Sequence, residues 1–228
     1  MISIIIPTYQ EADNITQLVS YLKTHADKDT EIIVSDGGSK DATLSLAEAA
    51  GAIALLSTQK GRAAQMNYGA SMAKGSIFYF IHADTFPPAG FCSDINKAVA
   101  DGFDLGRYRT RFNTDKYILQ LNAFFTRFDL FVCYGGDQTL FIKKELFESI
   151  KGFDTGMQIM EDYDITVRAR KKGRYRIFSK DTLVSSRKYD GNSWWRVQRA
   201  NYTIVQMFKQ GASQEAMVQR YREMLDYR

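Results

Sequence analysis

The sequence predicts an α/β fold: a mainly parallel central sheet flanked by helices, followed by a helical C-terminal extension. Two observations carry that prediction. Between Ile2 and Pro88, short runs of β-formers alternate with segments whose apolar residues recur at helical spacing. Strands separated by helical crossovers pair in parallel and take helices on both faces. Beyond Trp194 only the helical period remains.

Ile2 to Ile6 is a run of β-formers closed by Pro7, and Ile15, Leu18, Val19 and Leu22 then mark one face of a helix. Glu31 to Ser35 is a second strand, ended by Asp36-Gly37-Gly38-Ser39, with a helix from Ala42 to Ala50 stopped by Gly51. Ala52 to Leu56 is a third strand. Gly61 opens a helix whose apolar face is Ala63, Met66, Ala70 and Ala73, and Ser76 to Ile81 is a fourth strand. Later come strands over Phe103 to Phe112, Thr139 to Ile142 and Tyr175 to Phe178. Helices are expected over Lys116 to Phe128, Glu161 to Lys172, Trp194 to Gln210 and Ser213 to Asp226. No repeat, low-complexity tract or flexible linker interrupts the chain. It therefore reads as one domain, 1–228, with a helical C-terminal extension over 186–228.

At 228 residues and 45% hydrophobic content, the chain can bury a sizeable core without disulfides. Cys92 and Cys133 lie far apart and outside any metal-ligand spacing, which predicts reduced thiols and a cytoplasmic protein. The N-terminal strand carries no basic leader, and no stretch has the ~20 apolar residues of a membrane span. The net charge of +4 is compatible with an anionic ligand. Basic residues are not interleaved with an aromatic platform, so a nucleic-acid partner is not expected. The basic run Arg168 to Arg176 reads as a solvated helix end and strand start, or as a contact for an anionic acceptor or headgroup.

In an open parallel sheet, ligands sit beyond the carboxyl ends of the strands. Behind Pro7, the polar residues that close the strands are Thr8, Tyr9 and Glu11, then Asp36, then His82 and Asp84, with Arg62 opening the helix after the third strand. No G-x-G-x-x-G turn, G-x-x-x-x-G-K-[ST] loop or G-x-S-x-G elbow occurs, and His25 and His82 are the only histidines. Dinucleotide-binding, P-loop and hydrolase-triad chemistries are thereby set aside.

Asp84 follows an apolar strand and precedes Pro87-Pro88. A carboxylate there could hold a hard divalent ion, Mn²⁺ or Mg²⁺, against diphosphate oxygens, or serve as an ordinary turn residue. His82 could ligate the ion, contact a ribose or orient the loop. Arg62 could face the same anion as the free N–H groups of its helix. Asp36 suits a nucleoside hydrogen bond or a turn and helix cap. Asp162, in Met160-Glu161-Asp162-Tyr163-Asp164, could take the proton of an acceptor hydroxyl or offset the helix dipole.

Together, Ile4-Ile5-Ile6-Pro7-Thr8-Tyr9-Gln10-Glu11, Glu31 to Thr43 and His82-Ala83-Asp84-Thr85 resemble the family 2 glycosyltransferases over roughly residues 1–185. The resemblance implies the glycosyltransferase-A (nucleotide-diphospho-sugar transferase) fold and an inverting single displacement from a nucleotide-sugar, UDP-linked by default, to a hydroxyl acceptor. It implies that Thr8, Glu11 and Asp36 hold the nucleoside, Arg62 lies near the diphosphate, Asp84 binds the metal, and Asp162 is the base. Gly61 to Asn67, Gly136-Asp137-Gln138 and Met160-Glu161-Asp162 are also similar to small bacterial radical-SAM/selenodomain-associated transferases, some linked to arsenosugars. That similarity places Gly136, Asp137, Gln138 and Glu161 on the acceptor side. His82 stands where many relatives carry the first aspartate of Asp-x-Asp, and no Q-x-x-R-W signature of processive synthases is present. The competing readings are a sugar nucleotidyltransferase and a non-catalytic nucleotide-sugar-binding protein. In the extension, Trp194, Val197, Ile204, Val205 and Phe208 could line a core, a homodimer contact or a face toward a lipid-linked acceptor at the inner membrane.

Overall fold

The computed structural model describes residues 1–135 and 138–225. Strand β1 (Ile2–Thr8) is buried along its whole length. Its alternation sends Ile2, Ile4 and Ile6 into one core and Ile5 into the other, as the period of a strand requires. Helix α1 (Ala12–His25) buries Ile15, Leu18, Val19 and Leu22 on the first of these cores. Strand β2 (Glu31–Asp36), helix α2 (Thr43–Ala49) and strand β3 (Ile53–Leu56) follow. Helix α3 (Arg62–Met72) covers the opposite face. It lies so close to β1 that a Cβ on Gly69 would come within 2.6 Å of Ile5 Cγ2. Only a small residue allows that approach, and it brings the start of α3 to the edge where β1 and β2 end.

Strand β4 (Ile77–Phe80), the two-residue β5 (Thr85–Phe86) and helix α4 (Phe91–Ala100) complete the first half. Strand β6 (Leu105–Phe112) leads to helix α5 (Tyr117–Phe124) and 3₁₀ turns at Phe125–Arg127 and Phe131–Cys133. Then come β7 (Leu140–Lys143), α6 (Lys144–Ser149), α7 (Glu161–Arg170) and β8 (Tyr175–Val184). Helices α8 (Trp194–Lys209) and α9 (Gln214–Met224) are each capped by a serine, Ser193 and Ser213, whose hydroxyl accepts a backbone N–H.

Among the described residues the sheet has eight strands, in the order β3-β2-β1-β4-β7-β6-β8-β5. The first four strands run parallel, and β7 enters antiparallel between β4 and β6. Because β7 opposes both neighbours, β6 points the same way as β1, β2 and β4. Strand β8 runs parallel to β6. The carboxyl ends of β1 to β4, β6 and β8 therefore share one edge, at which β7 begins.

The helix expected over Lys116–Phe128 stops at Phe124 and tightens into a 3₁₀ turn. The cause lies in β6. Buried Arg107 donates to the carbonyls of Thr126 and Phe128 at 2.6 and 3.2 Å, drawing them away from helical partners. Strand β8 runs past Phe178 to Val184 because its second half pairs with both β6 and β5. Helices α4 and α6 go beyond the sequence reading. In the extension, Val197, Ile204 and Val205 are buried, so these apolar positions line a core. Much of the basic run is spoken for as well. Arg168 pairs with Asp164, Arg170 makes a two-pronged bridge to Asp129 at 2.8 and 2.6 Å, and Lys172 donates to the Ser149 carbonyl. Cys92 and Cys133 are free thiols, and no described helix is long and apolar enough to cross a membrane.

Candidate active site

At the ends of β1 and β2, Thr8 and Asp36 are both buried, and the Thr8 hydroxyl donates to Asp36 Oδ2 at 3.0 Å. Asp36 also accepts from the backbone of Gly38 and Ser39 and from the Ser39 hydroxyl, at 2.9, 2.7 and 2.6 Å. Four donors fill the usual capacity of a carboxylate, so Asp36 organises the Gly37–Ser39 loop. Pro7 pairs in register with Ser35 beside it. Buried Gln65 of α3 donates to the carbonyl of Thr8 at 2.5 Å, tying the helix to the strand end. A Cβ on Gly37 would stand 2.5 Å from that amide, which explains a glycine there.

Asp84 and Glu11 are joined by a residue that sequence reasoning missed, Arg187. Its Nε lies 3.0 Å from Asp84 Oδ2, while its two Nη atoms lie 2.9 and 2.5 Å from the Glu11 carboxylate. The pairing of β5 with the end of β8 sets up this contact, since it lays Ser185 against Asp84, with a backbone bond of 3.2 Å. Glu11 stands at the N-cap position of α1, and its carboxylate accepts from the Asn14 amide at 2.7 Å. His82 lies half-buried two residues before Asp84, and its carbonyl accepts from Thr85. Among the described residues, no three His, Cys, Asp or Glu side chains gather as a metal cage. The donor set here is hard oxygen, and the position beside Asp84 already accommodates a positive charge. Both features suit an ion held by one carboxylate, with the remaining positions left to phosphate oxygens and water.

The second cluster forms where α3 meets α7. Arg62 is the first residue of α3, and its Nε is bonded to Glu161 Oε1. Its Nη2 lies 3.5 Å from Asp162 Oδ2. Glu161 is 1% exposed, and its other oxygen has no hydrogen-bond partner among the described residues. Asp162 retains 17% side-chain exposure, so its carboxylate is open to solvent. Met160 aims both acids by adopting a left-handed conformation at the helix N-cap, with φ 70°. That strain is held by packing against Ile204, Val205 and Met217 of the C-terminal helices. Gln214 Oε1 adds bonds to the backbone of Gln158 and Ile159 at 3.0 and 3.1 Å.

Asn67 ties α3 to the loop that leads to the second cluster. Its amide donates to the carbonyl of Phe153 and accepts from the same residue's N–H, at 2.8 and 2.9 Å. Helix α3 thus braces the strand ends with Gln65, the acids with Arg62 and the loop that leads to them with Asn67. In the segment expected to border an acceptor, Gln138 donates to the Cys133 carbonyl, and the Tyr163 ring lies directly against Gly135. Gly136 and Asp137 lie outside the described residues.

Residues 3–169 match the family model described as Glycosyl transferase family 2. The chain is 26% identical over 216 residues to an uncharacterized glycosyltransferase of Rickettsia typhi, an alignment covering 85% of this chain and 65% of that relative. Among solved structures, it resembles S. aureus TarS (residues 1–349) in complex with UDP-GlcNAc, with a TM-score of 0.69 at 16% identity, over 98% of this chain and 71% of that one. It also resembles the mannosyltransferase PcManGT from Pyrobaculum calidifontis in complex with GDP-Man and Mn²⁺, with a TM-score of 0.67 at 22% identity, over 89% and 61% of the two chains. A third likeness is to glucosyl-3-phosphoglycerate synthase from Mycobacterium tuberculosis in complex with Mn²⁺, UDP-glucose and phosphoglyceric acid. There the TM-score is 0.65 at 16% identity, over 93% and 80% of the two chains. These likenesses define the fold as glycosyltransferase-A.

Proposed function

This chain belongs to glycosyl transferase family 2, and from that premise we propose that it moves one sugar, with inversion, from a nucleotide-diphosphate donor to a hydroxyl acceptor. The supporting observation is a pair of arginine-held carboxylates at one sheet edge: Asp84 beneath Arg187, and Asp162 beneath Arg62. In this reading Pro7, Thr8, Asp36 and His82 shape the nucleoside side, and Glu11 and Arg187 border the diphosphate. Gln138 and Glu161, with Gly136 and Asp137, border the acceptor.

The acceptor oxygen attacks the anomeric carbon as Asp162 takes the hydroxyl proton, and the bond to the diphosphate breaks on the opposite face. The nucleoside diphosphate leaves with the bonding pair. A divalent ion at Asp84, Mn²⁺ or Mg²⁺, would supply charge neutralisation for that leaving group. Arg187 reaches Asp84 and Glu11 from a neighbouring loop, so its guanidinium can turn onto a diphosphate oxygen when the donor and ion arrive. UDP is the donor nucleotide we favour, because bound UDP-sugars recur among the structural neighbours.

We also propose kinship with the small radical-SAM/selenodomain-associated transferases on the likeness of the segment Gly61 to Asn67, in which Arg62, Gln65 and Asn67 each make a site-building bond. We further read the chain as one transferase domain: a nucleotide-binding half over 1–100, an acceptor half over 101–185 and an extension over 186–228. Its place would be the cytoplasm, peripheral to the inner membrane face if the acceptor is lipid-linked.

The test is thermal unfolding against UDP-, GDP-, CDP- and dTDP-sugars, with and without Mn²⁺. Ligand at 100 times its dissociation constant adds ~2.7 kcal/mol. A metal-dependent shift for one nucleotide, lost in Asp84→Asn, is the expected result. No shift with any of the panel would count against the donor reading.

A further inference from the structure

Helix α5 and the turn after it carry a surface that the transfer reaction does not use. Tyr117, Ile118, Leu121, Phe124, Phe125, Phe128 and Leu130 are all exposed, Tyr117 at 79%. Contiguous apolar exposure of this kind marks an interaction site on a water-soluble chain. The buried side of α5, Leu119 and Ala123, packs in one cluster with Val197 and Ala200 of α8. The outer side of α8 presents Trp195, Arg199, Tyr202 and Lys209 at helical spacing, with Trp195 and Tyr202 at 76% and 66% exposure.

Charge identifies the partner. From Lys116 to Leu130 the charged residues are Lys116, Arg127 and Asp129, and from Trp194 to Lys209 they are Arg196, Arg199 and Lys209. Asp129, the one acid in the two segments, is bridged by Arg170. Exposed Trp, Tyr and Phe with an excess of Lys and Arg match a headgroup layer that carries negative charge. Arg127 lies 3.7 Å from the centre of the Phe124 ring and Lys209 lies 5.0 Å from that of Phe131, so cation and apolar group come as units.

Position supports the same partner. Strands β6 and β8 both end at the edge that carries Asp84 and Asp162, and α5 and α8 leave from those ends. The chain after α5 runs through Phe131 to Gly135, which lies against Tyr163, the neighbour of Asp162. We propose that the exposed faces of α5, its following turn and α8 form a docking surface for an anionic lipid bilayer. Resting on the transferase reading, this also assigns the acceptor class: an amphiphile whose hydroxyl lies at headgroup level.

The experiment is co-sedimentation of the full chain with vesicles of phosphatidylcholine and phosphatidylglycerol in equal parts, against phosphatidylcholine alone, with the UDP-induced thermal shift measured in parallel. The wild-type chain should pellet with the mixed vesicles, and Tyr117→Asp/Leu121→Asp should reduce that partition roughly tenfold or more while the UDP shift stays the same. A variant-free check is quenching of tryptophan fluorescence by brominated lipid in the mixed vesicles, expected because Trp195 is exposed on this face. A wild-type chain that stays in solution with no quenching would overturn the proposal while leaving donor binding intact. Equal pelleting of wild type and variant would overturn it too. A wild-type dimer by sedimentation equilibrium that the double substitution breaks would assign the face to a second copy instead.

Discussion

Arg187 Nε lies 3.0 Å from Asp84 Oδ2, so a guanidinium stands beside the carboxylate proposed to hold the metal. The same side chain neutralises Glu11 through both Nη atoms. Two carboxylates brought together without a cation would repel, and Arg187 supplies that charge from within the chain. Under the proposed function, it is therefore poised both to compete with a metal ion and to meet the diphosphate.

Arg187→Ala should have opposite effects on the two ligands. Without nucleotide, Mn²⁺ should bind more tightly, because its competitor is gone. UDP should bind roughly tenfold or more weakly, the size of a lost charge-assisted hydrogen bond. Calorimetric titration of each ligand checks both, and unchanged UDP affinity would remove Arg187 from the diphosphate site.

Asp162→Asn separates binding from chemistry. Donor affinity should stay close to that of the wild-type chain, while transfer falls by ~10²–10⁴, the range for a general base. Full turnover in this variant would exclude Asp162 as the base.

Glu161→Gln tests the support beneath that base. Glu161 is buried with one oxygen on Arg62, and an amide keeps the shape but loses the ionic bond. Arg62 is partly exposed, so water recovers some of the loss. A drop of about 1–2 kcal/mol in unfolding free energy is expected, read by urea denaturation.

Gly135→Ala should act at a distance. The added Cβ would fall within the Tyr163 ring, so the ring must move and Asp162 must move with it. Misplacement on that scale costs up to ~10²-fold in turnover, with UDP affinity unaffected. Steady-state kinetics beside a UDP titration distinguishes this from a general loss of fold.

Cys92 and Cys133 should react slowly with a disulfide reagent in the native chain. Burial pushes both thiols up, which keeps the thiolate fraction low at neutral pH. Unfolding in urea should release both to rapid labelling, and fast labelling of the folded protein would contradict the burial.

Periodicity and punctuation determined the architecture. The isoleucine run of β1, the glycines after β2 and the spacing of Ile15, Leu18, Val19 and Leu22 carry the alternating order locally. Sequence also pointed to Asp84, Arg62 and Asp162, because strand ends and helix starts are where an α/β sheet presents polar groups. Three features were decided only by tertiary structure: the entry of β7 against the direction of its neighbours, the break of α5 under Arg107, and the arrival of Arg187 between Glu11 and Asp84. Each depends on groups brought together across the chain, 176 residues in the case of Arg187 and Glu11. A local pattern encodes which elements form. It holds no record of which distant side chain fills the space between two of them, because packing and pairing settle that only once the sheet has closed.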